Sequence, residues 1–263
     1  MHADCHTHLT DPAFDADREA VVARARAAGV GWIVTNGTDP PSNRAALELA
    51  RTHPEVYAAL GIYPVDAVAA EHRAAGGTLP WEQRVWDVEA ELAFIDAHAE
   101  EAIAIGECGL DAHWVPEQLD RQREVFAELI AIARRHDRPL VVHSRRAEAE
   151  AIDLLVELGA ERVDLHCFGG RFALARRAVE AGFYCSIPAT LGRNQLFQKM
   201  ARELPLERLL TETDAPYLAP ERGRRNEPAN VAATVARIAE LRGLEVAEVE
   251  AALEANFRRL FRP

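Results

Sequence analysis

Cysteine is scarce, four in 263 residues, and at that density no disulfide scaffold can be built. Aromatic residues make up only 6%, too few for a long track of stacked bases. Lysine is almost missing. Lys199 stands alone against 29 arginines, which marks a biased genome and nothing more. No apolar run approaches the ~18–20 residues of a membrane span. The opening Met1-His2-Ala3-Asp4 shows no basic stretch followed by an apolar one, so no signal peptide is expected. Linkers, low-complexity tracts and short repeats are absent, and residues 1–263 read as one domain. Acids exceed bases to give a net charge of −12, which argues against non-specific adhesion to nucleic acid or to an anionic membrane. A substrate held locally is still permitted. The expectation is a cytoplasmic monomer without membrane contact or an obligate protein partner.

An apolar fraction of 49% with 27% charged residues is ordinary for a globular chain and excludes disorder over most of it. Short β-like runs alternate with longer amphipathic ones. The strand candidates are Ala3–Leu9, Trp32–Asn36, Tyr57–Tyr63, Ala102–Leu110, Pro139–Ser144, Arg162–Phe168, Gly182–Ile187 and Arg208–Asp214. Between them, Asp15–Ala28, Glu117–Asp137 and Ala147–Leu158 repeat apolar residues at three- and four-residue spacing, the period of a helix. The stretch Val65–Pro80 has no clear period and reads as a long loop with some helix, while Pro228–Arg242 and Val246–Arg259 read as closing helices. Eight βα units predict a parallel sheet closed into a (β/α)8 TIM-like barrel, with a doubly wound open sheet as the alternative.

Polar residues gather where the strands end. The first strand carries His6 and His8, the fourth Glu107, the fifth His143, the sixth His166 and the eighth Asp214. In a parallel barrel these ends share the face on which such folds place their chemistry. Imidazoles and carboxylates together suit a divalent metal. Residues two apart on a strand point the same way, so His6 and His8 enter the barrel mouth together. The same alternation puts Asp4 on their side, one step deeper, and turns Cys5 and Thr7 toward the helices. It also sends Cys108 and Cys167 outward, as small buried residues rather than ligands. An isolated His-x-His is a weak signal; six such groups on five strand ends form a strong one. His2, His53, His72, His98, His113 and His136 lack that placement and are read as solvated.

These residues carry a resemblance. The segments Asp4-Cys5-His6-Thr7-His8-Leu9, Gly106-Glu107-Cys108-Gly109-Leu110-Asp111, Val142-His143-Ser144-Arg145 and His166-Cys167-Phe168-Gly169-Gly170 resemble those of TatD-type metal-dependent hydrolases. So do Glu212-Thr213-Asp214-Ala215-Pro216-Tyr217-Leu218 and Arg222-Gly223-Arg224-Arg225-Asn226-Glu227-Pro228. The family is an amidohydrolase-like barrel group that includes magnesium-dependent deoxyribonucleases. The resemblance implies two divalent ions (magnesium, manganese or zinc), one held by His6, His8, Glu107 and Asp214. The other would be held by Glu107, His143 and His166, with Glu107 bridging. Glu107 and Asp214 are the implied catalytic residues, Asp214 taking a proton from the attacking water.

The implied reaction is 3′–5′ exonucleolytic hydrolysis of phosphodiester bonds at single-stranded DNA ends, with RNA also open. Substrate contacts are expected from Tyr63, Arg145, Glu212 and the loop arginines Arg222, Arg224 and Arg225. Where the family commonly has Gly-x-His-Pro, this chain has Gly61-Ile62-Tyr63-Pro64. A phenol donates one hydrogen bond and carries no positive charge near neutral pH, so the departure touches substrate preference and not the metals. The competing enzyme reading is a metal-dependent deacylase or amidohydrolase acting on an ester or amide such as aminoacyl-tRNA. The competing non-enzyme reading is a metal-binding interaction protein. Turnover of charged tRNA favours the former, and turnover of nothing the latter.

Overall fold

Each expected strand is present, and the eight lie side by side in chain order as one parallel sheet. The computed structural model describes all 263 residues. The strands are β1 (His2–Thr7), β2 (Val30–Asn36), β3 (Val56–Leu60), β4 (Ala104–Asp111), β5 (Leu140–Arg145), β6 (Val163–Leu165), β7 (Tyr184–Pro188) and β8 (Leu209–Glu212). Helices α1 (Arg18–Ala27), α2 (Pro40–Thr52), α3 (Ala69–Ala74), α4 (Val88–His98) and α5 (Leu119–Arg135) follow the first four strands. Then come α6 (Glu148–Glu157), α7 (Phe172–Glu180), α8 (Gln195–Glu203), α9 (Val231–Arg242) and α10 (Val246–Phe261). The aperiodic Val65–Pro80 holds one short 3-10 turn and the six-residue α3. No helix is long and apolar enough to cross a membrane.

Between β8 and β1 the barrel is closed by a seam of scattered bonds. The Asp214 amide donates to the His6 carbonyl at 2.9 Å, and the His8 amide donates to the Ala215 carbonyl at 2.7 Å. Thr211 Oγ1 donates to the Ala3 carbonyl at 2.8 Å. Asp4 accepts from both the amide and the hydroxyl of Thr213, at 2.9 and 2.5 Å. The two strands carrying half of the polar cluster are thereby locked together.

At two places near the cluster a strand gains one residue on the next strand. Between Asp4 and Thr7, β1 advances three residues against two on β2, and between Ile105 and Cys108, β4 does the same against β5. Such bulges re-aim side chains, and here each contains one expected ligand, His6 or Glu107. The first bulge overturns the simple alternation expected for β1. Cys5 packs with Ala104, Val141 and Leu210 in the barrel interior, whereas Asp4 turns to the seam and Thr213. Gly61, just after β3, makes room for the second bulge. A Cβ there would stand 2.2 Å from the Glu107 carbonyl oxygen. Asn43 of α2 fixes this point by bonding both the carbonyl and the amide of Gly61, at 2.9 and 3.0 Å.

Outside the barrel, Leu110, Val142, Leu165 and Cys185 pack with Phe126, Ile130 and Ile152 of the helices in the main apolar core. Helix α10 closes the opposite end with Phe257, Leu260 and Phe261 against Ala3 and Trp32. Burial of this kind contributes about 25 cal/mol per Å² of apolar surface. The strand C-terminal ends are left open to a single large cavity.

Candidate metal centre

His6, His8, Glu107, His143, His166 and Asp214 converge at the floor of that cavity. His6 Nε2 and His8 Nε2 stand 3.1 Å apart. Each lies 3.5 Å from Glu107 Oε2, and 3.5 and 3.3 Å respectively from Asp214 Oδ1. Donors spaced in this way around one point stand about 2 Å from it, the bond length of a divalent ion to imidazole nitrogen or carboxylate oxygen. The other oxygen of the same carboxylate, Glu107 Oε1, is 3.1 Å from His143 Nδ1 and 3.1 Å from His166 Nε2. The ring of His166 stacks on that of His6 at 3.7 Å. Nothing apolar separates these groups, and His6 and Glu107 are buried. The donor set therefore fits a cation.

Hydrogen bonds behind the cluster select which nitrogen His8 and His143 present. The carbonyl of Asn36 accepts from His8 Nδ1 at 3.1 Å, leaving Nε2 to the cluster. Asp111 Oδ2 lies 3.0 Å from His143 Nε2, so that ring offers Nδ1. Asp111 is itself held by the amides of His113 and Trp114, at 2.8 and 2.9 Å. A carboxylate behind a ligating imidazole fixes its orientation and raises its basicity. Asp111 ends one of the recognised motifs, yet its task depends on the β4–β5 register, which no local pattern reveals.

Charge in the cluster follows from these contacts. Burial raises the Glu107 carboxyl, but His166, His143 and His6 outweigh it and hold the group well below the usual carboxylate range. Asp214 is likewise held low, because His6 and His8 overcome its burial. His8 and His143 move up to about 9. Burial works against this in both, and the carboxylates beside each win. His6 falls to about 4, by burial and the adjacent His166. Ionised acids thus face protonated imidazoles, and binding of a cation releases protons from them.

Other expected residues are placed differently. Tyr63 lines the cavity beside the cluster, its ring edge-on to His143 at 5.1 Å and its hydroxyl 3.4 Å from Asp111 Oδ2. Arg145 also lines the cavity, with its guanidinium 5.4 Å from the Trp114 ring centre. Glu212 does not line it. Two residues below Asp214, it is fully buried and bonded to Ser186 Oγ at 2.6 Å. Arg222, Arg224 and Arg225 do not line it either. Arg225 is turned to α1, donating to both oxygens of Asp17 at 2.7 Å. Cys167, expected to face outward, lines the cavity instead. Its strand ends at Leu165, and its backbone takes a left-handed φ of 43°, which breaks the alternation.

The cavity has a volume of about 1310 Å³. Its wall gathers much of the chain's small aromatic complement. Trp81, Trp86 and Trp114, three of the four tryptophans, line it together with Tyr63 and Tyr217. The chain is poor in aromatics, but it concentrates them here.

Comparison with known proteins agrees with this geometry. A model of the family described as TatD related DNase matches residues 3–262. A metal-dependent hydrolase of Bacillus subtilis, YabD, is 37% identical over 100% of this chain and 99% of its own. The 3′-5′ ssDNA/RNA exonuclease TatD of Escherichia fergusonii is 32% identical over 98% of each chain. The crystal structure of YjjV, a TatD homologue from Escherichia coli K12, superposes with a TM-score of 0.85 at 30% identity, covering 100% of this chain and 98% of that one. The chain belongs to the TatD family of metal-dependent hydrolases, on a TIM barrel whose strand ends carry the donor cluster described above.

Proposed function

We propose that the protein is a two-metal nuclease that removes nucleotides from the 3′ ends of single-stranded DNA, and of RNA. One observation carries the reading. The two oxygens of Glu107 face two different histidine pairs, Oε2 toward His6 and His8 and Oε1 toward His143 and His166. That is the arrangement of a bridging carboxylate. His6, His8 and Asp214 on one side of Glu107, with His143 and His166 on the other, would hold a pair of divalent ions (magnesium, manganese or zinc), which would polarise a phosphoryl oxygen and activate a water.

The chain's own groups do the rest. Asp214 has a side chain 16% exposed to the cavity, and it accepts the proton of the attacking water. Arg145, two residues beyond His143, meets a terminal phosphate with a planar guanidinium. Acids including Asp11, Asp39, Asp66, Glu82 and Glu148 line the same cavity, so a long phosphate track is disfavoured. A grip on one or two terminal phosphates suits these charges, and it predicts a shallow salt dependence. The name of the Escherichia fergusonii relative supports the polarity of attack.

The test is a substrate panel with the metal-reconstituted protein: single-stranded DNA labelled at either end, RNA, closed circular DNA and charged tRNA. Stepwise shortening from the 3′ end is expected, with magnesium and with manganese. Efficient cutting of circles overturns the exonuclease reading. Rapid deacylation of charged tRNA without phosphodiester turnover replaces it with an esterase or amidohydrolase.

A further inference from the structure

The aromatic wall of the cavity has no part in holding metal. Trp81 and Trp114 meet edge to face, with ring centres 4.9 Å apart and planes at 84°, so the edge of one ring lies against one face of the other, and His113 meets Trp114 edge to face as well, at 4.6 Å. Trp81 is 40% exposed, a large apolar surface left on the wall of a pocket. Trp114 is rooted beside the donor cluster, since its amide donates to Asp111, the carboxylate that also holds His143. Its side chain, with those of Tyr63 and Leu79, rests on the small buried group Val65, Val68 and Val115. The segment bearing Trp81 is pinned as well. Gln83 Nε2 donates to the Val65 carbonyl at 2.7 Å, and Arg73 donates to the Gln83 carbonyl at 2.5 Å. The wall is therefore formed before anything binds. Arginine accompanies it: Arg84, Arg145 and Arg146 line the same cavity, and the Arg145 guanidinium lies 5.4 Å from the Trp114 ring centre.

We propose that the exposed ring of Trp81, backed by Trp114 with the Arg145 guanidinium over its ring, forms a shelf for an unstacked nucleobase next to the phosphate under attack. The proposal rests on the nuclease reading for its substrate class. Every base presents a π-face, so an aromatic shelf binds without regard to sequence. A base inside a duplex is already stacked on both sides and cannot use it, whereas a frayed or single-stranded end can. Selectivity for single strands then comes from the shelf, not from the metals. Arg145, with its guanidinium over the Trp114 ring, adds N–H groups for the phosphate oxygens of the same nucleotide.

The experiment compares two strands of equal length and phosphate count, an oligothymidylate and an abasic one, each with phosphorothioate linkages to slow hydrolysis. Both are titrated into the metal-loaded protein, and tryptophan fluorescence reports binding. The base-bearing strand is expected to bind about five- to 150-fold more tightly and to quench the fluorescence, while the abasic strand quenches little. Trp81→Leu alters an exposed residue and should remove most of that gap. Trp114→Phe keeps a smaller aromatic face and should leave an intermediate one. Equal binding of the two strands, or an undiminished gap in Trp81→Leu, overturns the shelf. Hydrolysis of natural strands without a gap leaves the nuclease reading standing and the shelf refuted. A gap without any hydrolysis does the reverse.

Discussion

The donor cluster at the strand ends and the layer immediately beneath it are both built from buried carboxyl groups, but they meet different partners. Above, Glu107 and Asp214 face His6, His8, His143 and His166 at 3.1–3.5 Å. Below, Asp164 and Glu212 share one hydroxyl, Ser186 Oγ, at 3.1 and 2.6 Å, and the Cys5 thiol adjoins Asp164. A serine has a single proton, so Ser186 Oγ donates to only one of these acids at a time. Burial pushes Asp164 up to about 7 and Glu212 well above its ordinary range. The upper acids stay ionised because two or more imidazoles adjoin each, whereas the lower pair has only His166 nearby, its Nδ1 3.8 Å from Glu212 Oε2. Burial is common to both layers, and the neighbour decides which one can receive a cation.

The largest effect should come from exchanging one acid in each layer for its amide. Glu107→Gln removes the carboxylate that faces both histidine pairs, and retention of divalent metal should be lost by elemental analysis after dialysis. Glu212→Gln replaces a group that burial pushes toward its neutral form and that does not line the cavity, so metal content should persist. Equal losses in the two variants would erase the distinction between the layers. Next in size is Asp111→Asn, which weakens the bond orienting His143. Metal affinity should fall about 10- to 100-fold, measured by competition with a chelating dye.

The lower layer also makes a prediction about pH. In the metal-free protein Asp164 titrates at about 7, against 3.8 for the ordinary group. Between those values the folded chain keeps a proton that the unfolded chain has lost. Stability contributed by the protonated carboxyl is therefore lost as pH rises through this window. Asp164→Asn does not titrate, so its stability relative to wild type should climb from about pH 4 to about pH 7 and then level. The gain is on the order of a few kcal/mol, read from urea midpoints across the range. A flat difference would mean that Asp164 is ionised in the fold, as the upper acids are.

How far these layers can be read from sequence depends on what sets each position. The eight strands and the six donors follow from strand period and strand ends, and the structure brings all six donors together. Depth was harder to read. Glu212 shares a face with Asp214, but two residues along a strand is a step of about 6–7 Å, enough to drop it from the cavity into the layer below. Parity failed at Cys5 and Asp4, because the extra residue in β1 exchanges inward for outward, and no side chain announces a bulge. Arg225 looked available for phosphate until the fold brought Asp17 to it from more than 200 positions away. The tryptophans were hidden for a related reason. Their segments lack a period, so only tertiary structure shows that Trp81 and Trp114 share one wall.

The smallest effect is expected at the rim of the upper layer, where Tyr63 stands in place of the histidine common in the family. Its hydroxyl is 3.4 Å from Asp111 Oδ2, the same oxygen that holds His143 at 3.0 Å. Burial and the nearby Glu107 and Asp111 carboxylates raise its ionisation well above the ordinary phenol, so it acts only as a neutral donor. A hydrogen bond this long lies at the weak end of the usual range, and losing it costs about 0.5 kcal/mol. Tyr63→Phe should thus shift metal affinity by no more than about twofold, far less than Asp111→Asn. The ring persists in the variant, so its edge contact with His143 is kept. Any larger loss of metal would place Tyr63 among the supports of the donor cluster. A change in turnover with metal affinity intact would place its hydroxyl against the substrate instead.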